Sequence, residues 1–93
     1  MLNIQQIRAD FPILNEKIRG KQLVYLDNGA STQKPQAVID AESYYYEHQY
    51  ANIHRGVHYL SQIGTDLYEN VRKQVQQFIH AKHDHEVIFT KGT

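Results

Sequence analysis

The densest group of chemically capable side chains is Asn52-Ile53-His54-Arg55-Gly56-Val57-His58, where two imidazoles, a guanidinium and a carboxamide fall within seven residues. Imidazole exchanges protons near neutral pH, and a guanidinium grips a carboxylate with two parallel hydrogen bonds. The segment therefore suits a loop that faces a small charged ligand, with structural hydrogen bonding as the plainer reading. Four-residue spacing would put His54 and His58 on one face of a helix. Gly56 opposes helix there and no carboxylate intervenes, so a zinc site is not expected.

Four further groups invite the same question. Tyr25-Leu26-Asp27-Asn28-Gly29-Ala30-Ser31 ends a β-prone run in small residues, which let a ligand approach backbone N–H groups closely. Thr90-Lys91-Gly92-Thr93 sends a β-prone run into a glycine turn, one route to holding an anion, although it lacks the spacing of a P-loop. His80 to Glu86 mixes three histidines with charge and reads as a solvated turn. Tyr44, Tyr45 and Tyr46 are consecutive, so on a helix they point about 100° apart and cannot form one stacking platform.

These groups need elements to carry them. Ile4, Ile7 and Phe11 predict a short amphipathic helix that stops before Pro12, because proline disfavours helix in the residue it follows. Leu23 to Leu26 predicts a short strand. Pro35 opens a helix expected over residues 35 to 49, and Leu60, Ile63, Leu67, Val71, Val75 and Phe78 predict the longest helix, over residues 60 to 80. Glu86 to Thr90 predicts a second strand. Two lone strands some sixty residues apart make no stable sheet, so a piece of a larger α/β fold is expected.

Composition bounds the functions. The chain has 93 residues, ten basic and ten acidic side chains, and 41% hydrophobic residues of which seven are tyrosine. That is one domain or part of one, with a thin core. A formal charge of zero provides no field to gather nucleic acid or an anionic membrane. With no cysteine, the chain holds no disulfide, thiolate metal site or nucleophilic thiol, which fits a cytoplasmic protein. No apolar run approaches the roughly 20 residues that span a bilayer, and the start lacks the pattern of a secretory signal.

In order, RADFPIL, YLDNGASTQKPQAVIDA, YYYEHQYANIHRGVHYLS, YENVRKQVQQFI and VIFTKGT resemble the start of class V aminotransferase-like enzymes, most of all the SUF-type (group II) cysteine desulfurases. The resemblance spans nearly all 93 residues. It implies an α/β chain, an N-terminal fragment of the type I fold of pyridoxal 5′-phosphate (PLP) enzymes, with residues 1–93 forming the arm, part of the small domain and the lead-in to the large domain. It also implies a cytoplasmic homodimer that takes L-cysteine, releases L-alanine, and passes sulfur as an enzyme persulfide to an acceptor protein for iron-sulfur cluster assembly.

Residue by residue, the resemblance places Gly29 and Ala30 on the substrate side of the pocket and His54 beside the bound amino acid, with Asn52 and Arg55 as neighbours. Thr93 matches the first threonine of a segment that meets the PLP phosphate. The family's Schiff-base lysine, persulfide cysteine and carboxylate-binding arginine would follow Thr93, so no catalytic residue is assigned here and the fragment alone is expected to be inactive. Neither Lys82 nor Lys91 matches that lysine. Two alternatives are kept: another class V enzyme, of selenocysteine lyase or kynureninase type, and a non-enzymatic module that dimerises through the tyrosine-bearing helix.

Overall fold

The computed structural model describes residues 1–92. The chain divides into two compact units that meet in sequence between Tyr46 and Glu47. The first begins with helix α1 (Ile4–Ala9), where the Asn3 side chain accepts a hydrogen bond from the Gln6 N–H at 3.1 Å and so caps a donor the helix cannot satisfy itself. Proline is the first residue of the 3₁₀ turn Pro12–Asn15 that follows, where its lack of an N–H costs nothing.

Strands β1 (Lys17–Ile18) and β2 (Lys21–Gln22) then pair antiparallel, Lys17 opposite Gln22 and Ile18 opposite Lys21. Arg19 and Gly20 both have positive φ, at 53° and 76°, which is the two-residue turn that matches the natural twist of a hairpin. This ribbon was not anticipated. The run expected to be a strand, Leu23 to Leu26, has no ladder partner among the described residues, and Val24 and Leu26 are 77% and 91% exposed.

Helix α2 (Gln36–His48) falls within the expected range. The Pro35 carbonyl accepts from the Val38 and Ile39 N–H groups, and the Gln36 N–H donates to the Asp10 carbonyl at 2.7 Å, tying the start of α2 to the end of α1. In the second unit, α3 (Tyr59–Phe78) begins at His58, whose Nδ1 accepts from the Ser61 N–H at 3.3 Å. After α3, the 3₁₀ turn Asp84–Glu86 leads into residues 87–90, which pair with no strand among the described residues. The expected second strand is thus an unpaired segment.

The core is as thin as the composition suggests. Among the described residues Val87 is the one buried hydrophobic side chain, while the stripe of α3 stays open, with Leu67 at 43%, Val71 at 46% and Phe78 at 85% exposure. No described helix is long and apolar enough to cross a membrane.

Candidate functional site

Gly29 and Ala30 lie in the first unit, in a turn that the chain braces from several sides. The Ala30 and Ser31 N–H groups both donate to the Asp27 carbonyl at 3.1 Å. The Tyr25 hydroxyl donates to the Ser31 carbonyl at 2.6 Å, the Thr32 hydroxyl to the Asn28 carbonyl at 2.8 Å, and the Gln33 N–H to the Asn28 side chain at 3.0 Å. The sequence suggested a turn with open backbone donors, yet those of Ala30 and Ser31 are spent within it. What stays open is the space at Gly29: a Cβ there would meet nothing within 4 Å, and its φ is not in the left-handed region. Nothing in the local backbone requires glycine at this position.

Gly56, in the second unit, is the opposite case. A Cβ on it would fall 2.2 Å from the Ser61 Oγ and 2.5 Å from the Ser61 Cβ, so the absent side chain is what lets the loop close onto the first turn of α3. Ser61 is fully buried and its hydroxyl has no hydrogen-bond partner.

Between these constraints the chain holds His54 at φ +68°, a left-handed conformation that costs a side chain with a Cβ about 1 kcal/mol or more. Its N–H donates to the Thr65 hydroxyl oxygen at 2.9 Å, and that hydroxyl donates onward to the Ser61 carbonyl at 2.8 Å. The imidazole Nε2 lies 2.7 Å from the Glu69 carboxylate, and the ring meets that of Tyr68 edge-on at 5.4 Å. The other oxygen of Glu69 accepts from Arg72 Nε at 3.0 Å. Arg72 also donates to the Val87 carbonyl, and its guanidinium lies 5.3 Å from the Tyr68 ring and 5.1 Å from the Phe89 ring.

The hydrogen bond from His54, and after it that from Arg72, holds the Glu69 carboxyl below its ordinary range. It is therefore an acceptor at neutral pH. Thr65, Tyr68, Glu69 and Arg72 follow one another at steps of three, one and three, so one face of α3 supports the histidine. None was singled out in the sequence. Their spacing relative to one another was the available signal, but it carries meaning only once His54 is known to pack there.

Asn52 and Arg55 flank His54 on the same loop with exposed side chains. His58 is the α3 cap and His54 is engaged by Glu69, so the two imidazoles do not act as a pair; no cluster among the described residues could hold a metal ion. Near the end of the described chain, Gly92 has φ +126°, a conformation open to glycine, and the Thr90 hydroxyl donates to its carbonyl at 3.2 Å. Thr93 lies outside the described residues.

Residues 24–93 match the family described as aminotransferase class-V. A cysteine desulfurase of Synechococcus elongatus is 52% identical over 91 residues, which are 98% of this chain and 14% of that protein. A cysteine desulfurase of Salmonella newport is 52% identical over 90 residues, covering 97% of this chain and 22% of its own length. The apo structure of a cysteine desulfurase from Thermococcus onnurineus NA1 superposes with a TM-score of 0.80 at 44% identity, over 98% of this chain and 21% of that one. The chain thus spans about a fifth or less of the length of these relatives.

Proposed function

The chain belongs to the class V aminotransferase family and has the fold of an N-terminal segment of the type I PLP-dependent architecture; from that premise we propose that it is the opening part of a cysteine desulfurase. The whole protein would convert L-cysteine to L-alanine and pass the sulfur, as a persulfide on one of its own cysteines, to an acceptor protein of the SUF iron-sulfur assembly system. It would work as a cytoplasmic homodimer. In this reading residues 1–93 supply the arm, part of the small domain and the lead-in to the large domain. The observation that supports it most is the 52% identity to cysteine desulfurases across 97% of the chain.

The residues present fit PLP in kind. Residues 87–90 lead to Gly92, whose positive φ turns the backbone as glycine turns that offer N–H groups to a phosphate do; Thr93, which the resemblance assigns to the phosphate, lies outside the described residues. PLP, when bound, supplies the electron sink that makes the substrate's bonds labile. The chain's own residues do the binding around it. Gly29 leaves room for the amino acid to approach, with Ala30 as its small neighbour. His54 would lie beside the amino acid, with Asn52 and Arg55 completing the loop. Arg55 adds an exposed positive charge to that loop.

Incubating the whole PLP-loaded protein with L-cysteine and a thiol reductant tests this reading. Equal release of alanine and sulfide is expected, with none from the 93-residue chain. Turnover of selenocysteine or a kynurenine-type substrate, without alanine from cysteine, would replace the reading with another class V activity.

A further inference from the structure

The support beneath His54 has a chemical consequence that resting on the loop alone would not give. An ionised carboxylate can only accept hydrogen bonds, so the 2.7 Å contact with Glu69 requires Nε2 to carry the proton. In the neutral ring, Nδ1 is then the acceptor. The carboxylate is in turn fixed by Arg72, whose guanidinium is held by the Val87 carbonyl and two aromatic rings. The support reaches from a residue on α3 to the segment that leads into the Gly92 turn.

We propose that Glu69 is the positioning residue of this site: locked by Arg72, it accepts the hydrogen bond from Nε2–H of His54, holding the proton on that nitrogen, and so keeps Nδ1 as the acceptor presented to the substrate amino acid. The inference rests on the reading of His54 as a group beside that amino acid. A hydrogen donor on the substrate, its ammonium or its thiol, finds a lone pair at Nδ1. Should a proton move onto Nδ1, the resulting imidazolium already has its counter-ion in Glu69. Arg72 leaves Glu69 one oxygen for the histidine and prevents it from turning away. The left-handed backbone of His54 serves the same end, since the N–H bond to Thr65 fixes the base of the side chain while Glu69 fixes its tip.

The test uses the whole protein labelled with ¹⁵N-histidine, observed at about pH 8, above the usual imidazole range. The His54 signal is identified by its loss in His54→Gln. The wild type should show a protonated Nε2 and a bare Nδ1. In Glu69→Gln the side-chain amide can donate as well as accept, so a mixture or inversion of the two forms is expected. The value of kcat/KM should fall about 10- to 100-fold, the size of loss seen for partners that orient metal-binding histidines, with partial recovery in Glu69→Asp.

A protonated Nδ1 in the wild type overturns the proposal. So does a Glu69→Gln protein with an unchanged His54 signal and kcat/KM within twofold of wild type. The substitution preserves size at a position 38% exposed, so the fold should survive; Glu69→Ala serves as the second variant. The nitrogen spectrum does not depend on the substrate. If the wild type released no alanine from cysteine, the functional reading would fall while the spectrum still decided the role of Glu69.

Discussion

Two glycines stand in opposite surroundings, Gly56 against Ser61 and Gly29 in open space. At Gly56, an added methyl must displace Ser61, whose backbone belongs to the first turn of α3. Gly56→Ala should therefore cost the whole protein about 1–3 kcal/mol, read as a lower urea midpoint. Gly29 has open space and an ordinary backbone, so Gly29→Ala should leave that midpoint within about 0.5 kcal/mol of wild type. If Gly29 makes room for the amino acid, the same methyl should lower kcat/KM about tenfold or more. Equal stability losses in the two variants would refute the distinction. Glu69 gives a third expectation. Its carboxyl is depressed in the folded protein, so its contribution is fully present above the ordinary carboxylate value of 4.5 and is lost as pH falls through the lower folded value. Titration of the whole protein, followed through the His54 ring signals, should show the contact breaking below pH 4.5, with that step missing in Glu69→Gln. The loop that carries His54 was legible from its crowded polar residues, and the turn at Gly29 from its small residues. Glu69 and Arg72 were not, because a carboxylate and a guanidinium on a helix read as solvated until the fold lays a loop across them.

At the scale of elements, α3 carries two demands on two faces. Its apolar stripe, Leu60 to Phe78, made the helix easy to anticipate, yet within this chain that stripe is largely open. The face that is tied down bears Ser61, Thr65, Tyr68, Glu69, Arg72 and Gln76, mostly polar, and works through hydrogen bonds to the His54 loop, the Val87 carbonyl and the Ala81 carbonyl. Helix periodicity therefore located the element, while the face that holds the His54 loop carried no periodic signal. The unpaired runs Leu23 to Leu26 and residues 87–90 show a related limit: β-prone residues set an extended backbone, whereas a ladder needs neighbouring strands that no local sequence encodes. The hairpin at Arg19-Gly20 was missed because its strands are two polar or mixed residues each, below the length at which alternation is visible. His58 shows the reverse, a residue that looked chemical and serves as a helix cap. His58→Ala should cost about 1 kcal/mol of stability and His58→Asn much less, since a short carboxamide caps well. Thermal melts of the two variants check this; equal losses would mean that the imidazole has another task.

For the whole molecule the governing quantity is apolar surface left in water. Folding must offset roughly 1–2 kcal/mol of backbone entropy per residue, and burial of apolar side chains is the main favourable contribution. Among the described residues Val87 alone is a buried hydrophobic, whereas Leu26, Val57, Phe78 and Ile88 are each more than three-quarters exposed. Helix caps and the His54–Glu69–Arg72 group stabilise local geometry, but hydrogen bonds contribute only about 1 kcal/mol each against water and cannot replace that burial. So many large apolar side chains left in water, in a chain with one buried hydrophobic among the described residues, point to surface meant to be covered. In the proposed function that covering comes from the rest of a protein as long as the relatives, of which this chain spans 14% and 22%. The 93-residue chain by itself should then retain helix in far-ultraviolet circular dichroism, bind a hydrophobic dye strongly, and melt without a sharp calorimetric transition. The whole protein should melt cooperatively with little dye bound. A cooperative, dye-free, monomeric melt of the isolated chain would show that local hydrogen bonding suffices, and would favour a self-standing module over a part that depends on the rest of an enzyme.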